Sequence, residues 1–439
     1  MNTIILVIVL CGLIFFTIKR KSYGLMYYFA VRLIIPSSAR VGNFSFNTVM
    51  LAVLLILTLS HIYTCYREYC KEERQYLNSI LGLCIGLLSL TFFSPLLTLS
   101  YQWGAFAQLV GTEIVPSILL MYYLMEEDDM KLFCYVVMVF TLYSSAYGIF
   151  TYFTSSNPIY EFFNTSQEQM KDLDRYASGR YGLTGISVGI YDDKIAMSLI
   201  SFLLAMFLFD KEIINEKIRY IVVGITLFNM FLTTQRSALF CYLLFMLYPL
   251  LGPDRSVYIK KYLSIILPIG LVLLLSDMEI VESFFSSIFL IFDDKAQEAV
   301  GIGGSSSSMR FMQYLNVLEY HNLLTIFTGE GYGFSSYYYK VIHDSKLYGL
   351  DDRFYGFESF LVHELMNVGI IGCIIWILFF CKIFKILHVR FKLPFMSMFL
   401  CYVIVALMTD VSASFYLFFF LIVLNYKYYT IYDEAFCLS

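Results

Sequence analysis

Apolar stretches of membrane-spanning length recur along most of this chain. A helix that crosses a hydrocarbon core of ~30 Å needs about 20 apolar residues. Windows of that kind lie at 2–18, 46–65, 77–99, 103–125, 132–154, 186–209 and 358–380. Two longer apolar stretches, 220–252 and 395–426, each predict a helical hairpin. The pattern predicts an all-α polytopic membrane bundle of about twelve helices, with about thirteen as the alternative.

The distribution of Lys and Arg orients this bundle. Basic residues cluster at 67–74, 211–219, 255–261 and 382–392, and the turns near 100 and 410 contain none. Because cytoplasmic loops carry an excess of Lys and Arg, the long polar segments are predicted to face the other side. We expect an N-terminal transmembrane bundle at 1–276, a large extracytoplasmic loop at 277–357, and C-terminal transmembrane helices with a cytoplasmic tail at 358–439.

The first apolar window is predicted to be a retained helix rather than a signal peptide. Residues 2–18 lack a basic start and a small-residue cleavage site. The side on which the N-terminus lies stays open. Lys19-Arg20-Lys21 favours the cytoplasm, which requires residues 22–38 to cross or re-enter the membrane despite Arg32.

Composition agrees with the hydropathy pattern and removes other classes of protein. The chain has 439 residues, of which 59% are hydrophobic and 15% charged, and its mean hydropathy is +0.71. A net charge of -4 without a basic run gives no reason to expect a nucleic acid partner. The ten cysteines lie in apolar spans or in loops predicted to be cytoplasmic, so we expect free thiols.

Three arginines are candidates for binding phosphate. Arg236 lies at the apex of the 220–252 hairpin, where an ionisable group at membrane depth marks a functional site by default. A guanidinium makes bidentate bonds to phosphate and stays charged. Arg310 opens an amphipathic helix predicted to lie on the outer surface, and Arg180 precedes a span, so both could meet a lipid headgroup. An ordinary surface or interfacial arginine is the alternative for each.

His363 is the candidate general base. It lies at the outer end of the 358–380 span, where a neutral imidazole could accept a proton near neutral pH. Glu364 and Glu358 are nearby carboxylates that could orient the imidazole or act as the base themselves. An interfacial histidine bonded to a backbone carbonyl is the alternative. His321 and His343 have no companion ligands at metal spacing and are expected to be surface residues.

Two further segments bear on ligand chemistry. Gly329-Glu330-Gly331-Tyr332-Gly333 has no βαβ context, so it predicts a turn rather than a nucleotide loop. Residues 19–45 contain no Asp or Glu, so this region cannot hold a divalent cation against a diphosphate. If a diphosphate binds, arginines must neutralise it, and we expect neither a metal nor another cofactor. Glu126-Glu127-Asp128-Asp129 predicts a solvated cytoplasmic loop.

Several of these motifs together resemble the O-antigen polymerase and O-antigen ligase superfamily. Thr233-Thr234-Gln235-Arg236-Ser237-Ala238 is similar to its Ser/Thr-x-Arg-small motif. Ser308-Met309-Arg310, the glycine turn, and His363-Glu364 leading to Gly369 and Gly372 resemble its loop arginine, glycine turn and histidine helix. Gln235 stands where the family often has Ser, and Glu364 where Asn is common in ligases, which favours a polymerase.

The resemblance implies transfer of a glycan from an undecaprenyl-diphosphate-linked oligosaccharide to a sugar hydroxyl, outside the bacterial cytoplasmic membrane. It assigns catalysis to His363, Arg236 and Arg310, and substrate binding to Arg180, Glu364, Gly331 and Gly333. The expected activity is that of a metal-independent inverting glycosyltransferase, with membrane lipid and a chain-length regulator as further partners. A ligase remains open, and so does a lipid-linked oligosaccharide flippase or other transporter, although no internal repeat supports a transporter.

Overall fold

The computed structural model of the chain describes part of its residues. They are 2–35, 39–42, 44–68, 71–91, 99–114, 120–125, 127–154, 158–163, 216–232, 256, 259–260, 263, 307–334, 359–390, 402–404 and 406–407. Of the described residues 89% are helical, as expected for an all-α protein.

The helices follow the chain in this order: α1 (Asn2–Lys19), α2 (Lys21–Ile34), α3 (Phe46–Glu68), α4 (Lys71–Thr91), α5 (Leu99–Ala107), α6 (Met121–Leu124), α7 (Glu127–Thr154), α8 (Pro158–Phe162), α9 (Glu216–Leu232), α10 (Ser307–Tyr320), α11 (Thr325–Thr328) and α12 (Phe360–Arg390). A small antiparallel hairpin of β1 (Arg40–Val41) and β2 (Phe44–Ser45) lies between α2 and α3. Gly42, with φ +61°, lies between its two strands.

Three described helices are long and apolar enough to cross a membrane. They are Asn2–Lys19, Phe46–Glu68 and, within α12, Phe360–Lys382. These helices confirm three of the predicted windows, because an unbroken apolar run of this length has few other stable conformations. The 186–209 window, most of the 220–252 hairpin beyond α9, and most of the 395–426 hairpin lie outside the described residues.

The predicted span at 103–125 is described in part. Helix α5 ends at Ala107, a π-helical stretch (Gln108–Ile114) continues it, and α6 begins at Met121. Residues 115–119 lie outside the described residues, so the continuity of this span stays a prediction.

The described contacts divide the chain into two compact units. The first comprises Met1–Cys65, Pro116–Glu282 and Tyr416–Ser439, and the second comprises Tyr66–Val115 and Ser283–Phe415. In the first unit α1 and α2 pack closely, because Gly12 faces the Tyr27 ring and Gly24 faces Thr17. Helix α7 packs on α9, where the buried Ser145 hydroxyl donates to Thr226 Oγ1 at 3.2 Å.

An ion pair joins the start of α2 to the start of α7 in the first unit. Arg20 Nη1 lies 2.9 Å from Asp129 Oδ1, and the Asp129 side chain is only 2% exposed. The expectation that Asp129 belongs to a solvated loop is therefore wrong. A carboxylate at this depth needs a cationic or hydrogen-bonding partner, and the basic Lys19-Arg20-Lys21 segment supplies it.

The second unit is built on α12. This helix contacts α4, α10 and α11, and a cluster of buried side chains forms the core: Val317, Phe334, Val362, Leu365, Met366 and Cys373. Within α12, Gly369 has φ 63° and ψ -167°, which divides the element into two helical halves. The candidate site lies around this break.

Candidate functional site

The break at Gly369 changes which groups satisfy the backbone of α12. Carbonyls just before a helix break lose their helical donors and need others. The Glu330 N–H donates to the Met366 carbonyl at 2.8 Å, and the Gly331 N–H donates to the Asn367 carbonyl, also at 2.8 Å. The glycine turn thus replaces part of the helical hydrogen bonding of α12.

Close backbone contact explains the glycines of the turn. Gly329, Gly331 and Gly333 have φ values of +74°, +105° and +83°, which L side chains rarely adopt. A Cβ added to Gly369 would lie 2.5 Å from the Phe327 carbonyl carbon and 2.6 Å from the Gly329 nitrogen. The turn and the helix therefore pack backbone against backbone. Gly331 and Gly333 are buried, and substrate binding by them stays a prediction.

Glu364 is the buried centre of a hydrogen-bond network. Its side chain is 2% exposed, and its Oε2 accepts from Trp376 Nε1 at 2.6 Å and from the Tyr332 hydroxyl at 3.3 Å. Glu364 therefore links both halves of α12 to the glycine turn.

His363 lies beside this network in the first turn of α12, where its backbone N–H donates to the Ser359 carbonyl at 2.9 Å. Its imidazole Nδ1 lies 3.5 Å from Glu364 Oε1 and 3.0 Å from the amide nitrogen of Asn367. The His363 side chain is 22% exposed, whereas that of Glu364 is buried. A solvent-accessible imidazole thus has a buried carboxylate next to it.

Asn367 was not identified from the sequence. It lies four residues after His363, on the same face of a helix, and is itself buried. That spacing was the signal for its contact with the imidazole. The Asn367 amide also influences which ring nitrogen of His363 carries the proton. A half-turn of the amide exchanges its nitrogen, which donates a hydrogen bond to Nδ1, for its oxygen, which accepts one from Nδ1–H.

A second histidine–carboxylate pair includes Glu330 of the glycine turn. His321 Nδ1 is 3.3 Å from Glu330 Oε1 and 3.2 Å from Thr325 Oγ1, and the side chains of His321 and Glu330 are both buried. The expectation that His321 is a surface residue is therefore wrong. His321 and Glu330 are nine residues apart, on either side of α11, so helical spacing gave no indication of their contact.

The predicted arginines are described less fully. Arg310 lies in α10, but its side chain is outside the described residues, as are Arg236 and Arg180 altogether. Their proximity to His363 stays a prediction. Among the described residues, no group of three or more His, Cys, Asp or Glu side chains could hold a metal ion.

Comparison with known sequences adds no assignment to this geometry. No protein-family model matches the chain, and no curated protein matches it significantly. The functional conclusion therefore rests on the residues of the site, in a protein whose described part is mostly helical and contains three candidate membrane spans.

Proposed function

We propose that the protein is a membrane glycosyltransferase that polymerises lipid-linked oligosaccharide repeat units into a surface polysaccharide. The observation that carries this proposal is the partly exposed His363 imidazole beside the buried Glu364 carboxylate, at one end of a candidate membrane span. A base at that position can meet a sugar hydroxyl while the carrier lipid stays in the bilayer. The proposal places this end of the span outside the bacterial cytoplasmic membrane.

His363 acts as the general base. The acceptor hydroxyl gives its proton to the imidazole as its oxygen attacks the anomeric carbon of the donor, and the bond from that carbon to the undecaprenyl diphosphate breaks. A single displacement inverts the anomeric configuration. For Nε2 to receive the proton, Nδ1 must already carry one. The Nδ1–H donates a hydrogen bond to Glu364 Oε1 and to the oxygen of a half-turned Asn367 amide.

Glu364 stabilises the imidazolium that forms during transfer. Its charge is held by neutral donors on Trp376 and Tyr332, so it is not cancelled before the reaction begins. An orienting carboxylate of this kind supports a histidine base in hydrolases without itself taking the proton. This role replaces direct substrate binding by Glu364, because its oxygens are already engaged inside the protein.

The diphosphate leaving group carries the negative charge away. Arg236 and Arg310 are assigned to bind it, and Arg180 to bind the substrate nearer the headgroup, because guanidinium groups match phosphate oxygens without a metal. The same chemistry suits a ligase that moves finished glycan to another acceptor. A flippase needs no base, so the His363–Glu364 pair favours an enzyme.

The test is a chain-length ladder of the surface glycan in a strain that lacks the wild-type gene. His363→Ala, Arg236→Ala and Arg310→Ala are compared at equal membrane levels. His61→Ala and Arg67→Ala on α3 are matched controls, because the proposal gives them no role. We expect the controls to keep the ladder and the three site variants to retain only a single repeat unit.

Other outcomes separate the alternatives. Full-length glycan that accumulates on the carrier lipid in the site variants identifies a ligase. A normal ladder in all three site variants refutes the site assignment and favours a transporter, for which transfer of lipid-linked glycan across vesicles is then measured.

A further inference from the structure

Helices α10 and α11 pack along α12, starting near its first residue and running toward its middle. The Tyr314 hydroxyl lies 2.8 Å from Ser359 Oγ, immediately before α12. Farther along α10, Val317 packs in the cluster that contains Val362 and Met366. At the end of α11, the backbone of Phe327 lies against Gly369. The contacts on α12 thus advance steadily as the chain runs from residue 314 to residue 327.

The last of these contacts is deep in a candidate membrane span. At about 1.5 Å per helical residue, Gly369 lies ~14 Å from Phe360, the first residue of the span Phe360–Lys382. Half of a ~30 Å hydrocarbon core is about the same distance. We infer that residues 314–334 form a re-entrant element, which enters the membrane beside α12, reaches about its mid-depth and returns.

The glycine turn makes the return. After the contacts at Gly369, the Tyr332 hydroxyl reaches Glu364, and Phe334 packs with Val362 in the core cluster. Successive contacts on α12 therefore move back toward its first residue. The sequence predicted a helix lying flat on the outer surface at 309–324, which would keep Tyr314 and Val317 at one level. Instead Tyr314 contacts Ser359, and Val317 lies in the cluster of Val362 and Met366.

The turn also meets the requirement for irregular backbone at membrane depth. Such backbone is tolerated only where protein buries it and its polar groups are paired. Residues 329–334 are all buried, and the Glu330 and Gly331 N–H groups donate to carbonyls of α12. The buried His321–Glu330 pair then lies inside the protein at the same depth, where an ionisable group needs a partner.

Acyl chains of lipid are the occupant that the apolar part of the outer face fits, beside the exposed polar Glu319 and Asn322. Phe327, whose backbone lies against Gly369, is 48% exposed, and Leu323, four residues earlier, is 88% exposed. On α12 itself, Ile374 is exposed about 8 Å beyond Gly369 along the helix, and Ile377 is exposed about 12 Å beyond it. Apolar side chains exposed at mid-membrane are stable against lipid and costly against water. This inference does not depend on the proposed glycan chemistry.

Spin labels test the depth. Single cysteines replace Leu323 and Phe327 in a cysteine-free chain, and the labelled protein is placed in phospholipid nanodiscs. Relaxation of the nitroxide by oxygen, which concentrates in lipid, is compared with relaxation by a water-soluble nickel chelate. Ile377→Cys is the lipid-facing reference and Glu68→Cys is the water-facing reference, because both side chains are exposed.

We expect the labels at both positions to behave like the Ile377 label, with strong relaxation by oxygen and little by nickel. Behaviour like that of the Glu68 label would overturn the inference and indicate a surface helix or a water-filled cavity. If the cysteine-free chain does not fold, Leu323→Trp in the natural chain is tested with brominated phospholipids. Quenching of the added fluorescence supports the inference, and its absence refutes it.

Discussion

Two buried carboxylates in this protein are stabilised in different ways. Asp129 in the first unit lies 2.9 Å from the permanently charged Arg20 guanidinium. Glu364 in the second unit accepts from the indole of Trp376 and the hydroxyl of Tyr332, with a titratable imidazole nearby. Both side chains are 2% exposed, so burial alone does not distinguish them.

The difference lies in what each carboxylate can still do. A full positive charge cancels most of the field of Asp129, which suits a structural contact between two helices. Neutral donors stabilise Glu364 without cancelling its charge, so a cation that forms at His363 gains from it. We therefore expect removal of Asp129 to affect stability, and removal of Glu364 to affect activity as well.

Gly369→Ala should have the largest effect, because it removes the geometry that brings the donors to Glu364. The added Cβ would collide with the backbone of Phe327 and Gly329, and φ 63° is unfavourable for alanine. We expect a loss of about 3 kcal/mol or more in the free energy of unfolding. Membrane level and melting temperature of the purified protein measure it.

Gly82→Ala on α4 is the matched control for that variant. A Cβ at Gly82 meets open space, and alanine is the better helix former by about 1 kcal/mol. Its melting temperature should equal or exceed that of the natural chain. Equal stability of the two alanine variants would contradict the backbone contact at Gly369.

Glu364→Gln and Asp129→Asn compare the two carboxylates directly. Loss of the Glu364 charge should slow glycan transfer by about a hundredfold, which corresponds to about 2.7 kcal/mol in the activation barrier. Asp129→Asn should leave transfer unchanged at equal protein level and lower stability. Transfer rates in membrane vesicles, normalised to protein, check both. Equal loss of activity in the two variants would remove the distinction.

Trp376→Phe and Arg20→Met test the donors. Phenylalanine keeps the ring packing of Trp376 but removes the 2.6 Å bond to Glu364, so we expect a loss of about 1–3 kcal/mol in stability. Arg20 is partly exposed, and its loss leaves Asp129 buried without the cation. In double-mutant cycles, the stability effect of Trp376→Phe should be coupled to that of Glu364→Gln and nearly additive with that of Asp129→Asn. The effect of Arg20→Met should be coupled to that of Asp129→Asn and nearly additive with that of Glu364→Gln.

The sequence predicted those features that depend on local composition. Three apolar runs became candidate membrane helices, because about 20 apolar residues decide that outcome locally. His363 and Glu364 were identified together because they are adjacent and end an apolar run. The motif around the glycines predicted a turn, and the positive φ values of Gly329, Gly331 and Gly333 confirm it.

Features that depend on distant segments were missed. A single glycine such as Gly369 usually costs a helix about 1 kcal/mol and does not divide it. It divides α12 where Phe327 and Gly329, far away in sequence, lie against it. The buried contact of His321 with Glu330 likewise joins residues on either side of α11. Neither contact has a periodic signal.

The hydrogen bonds between the glycine turn and α12 impose an order on biogenesis. The ribosome makes the donors at Glu330 and Gly331 before their acceptors at Met366 and Asn367. Until α12 has entered the bilayer, the turn has no partner that would let its backbone leave water. In the inferred re-entrant arrangement, α12 enters the bilayer first, and residues 314–334 dock against it afterwards, as a post-insertion step of folding.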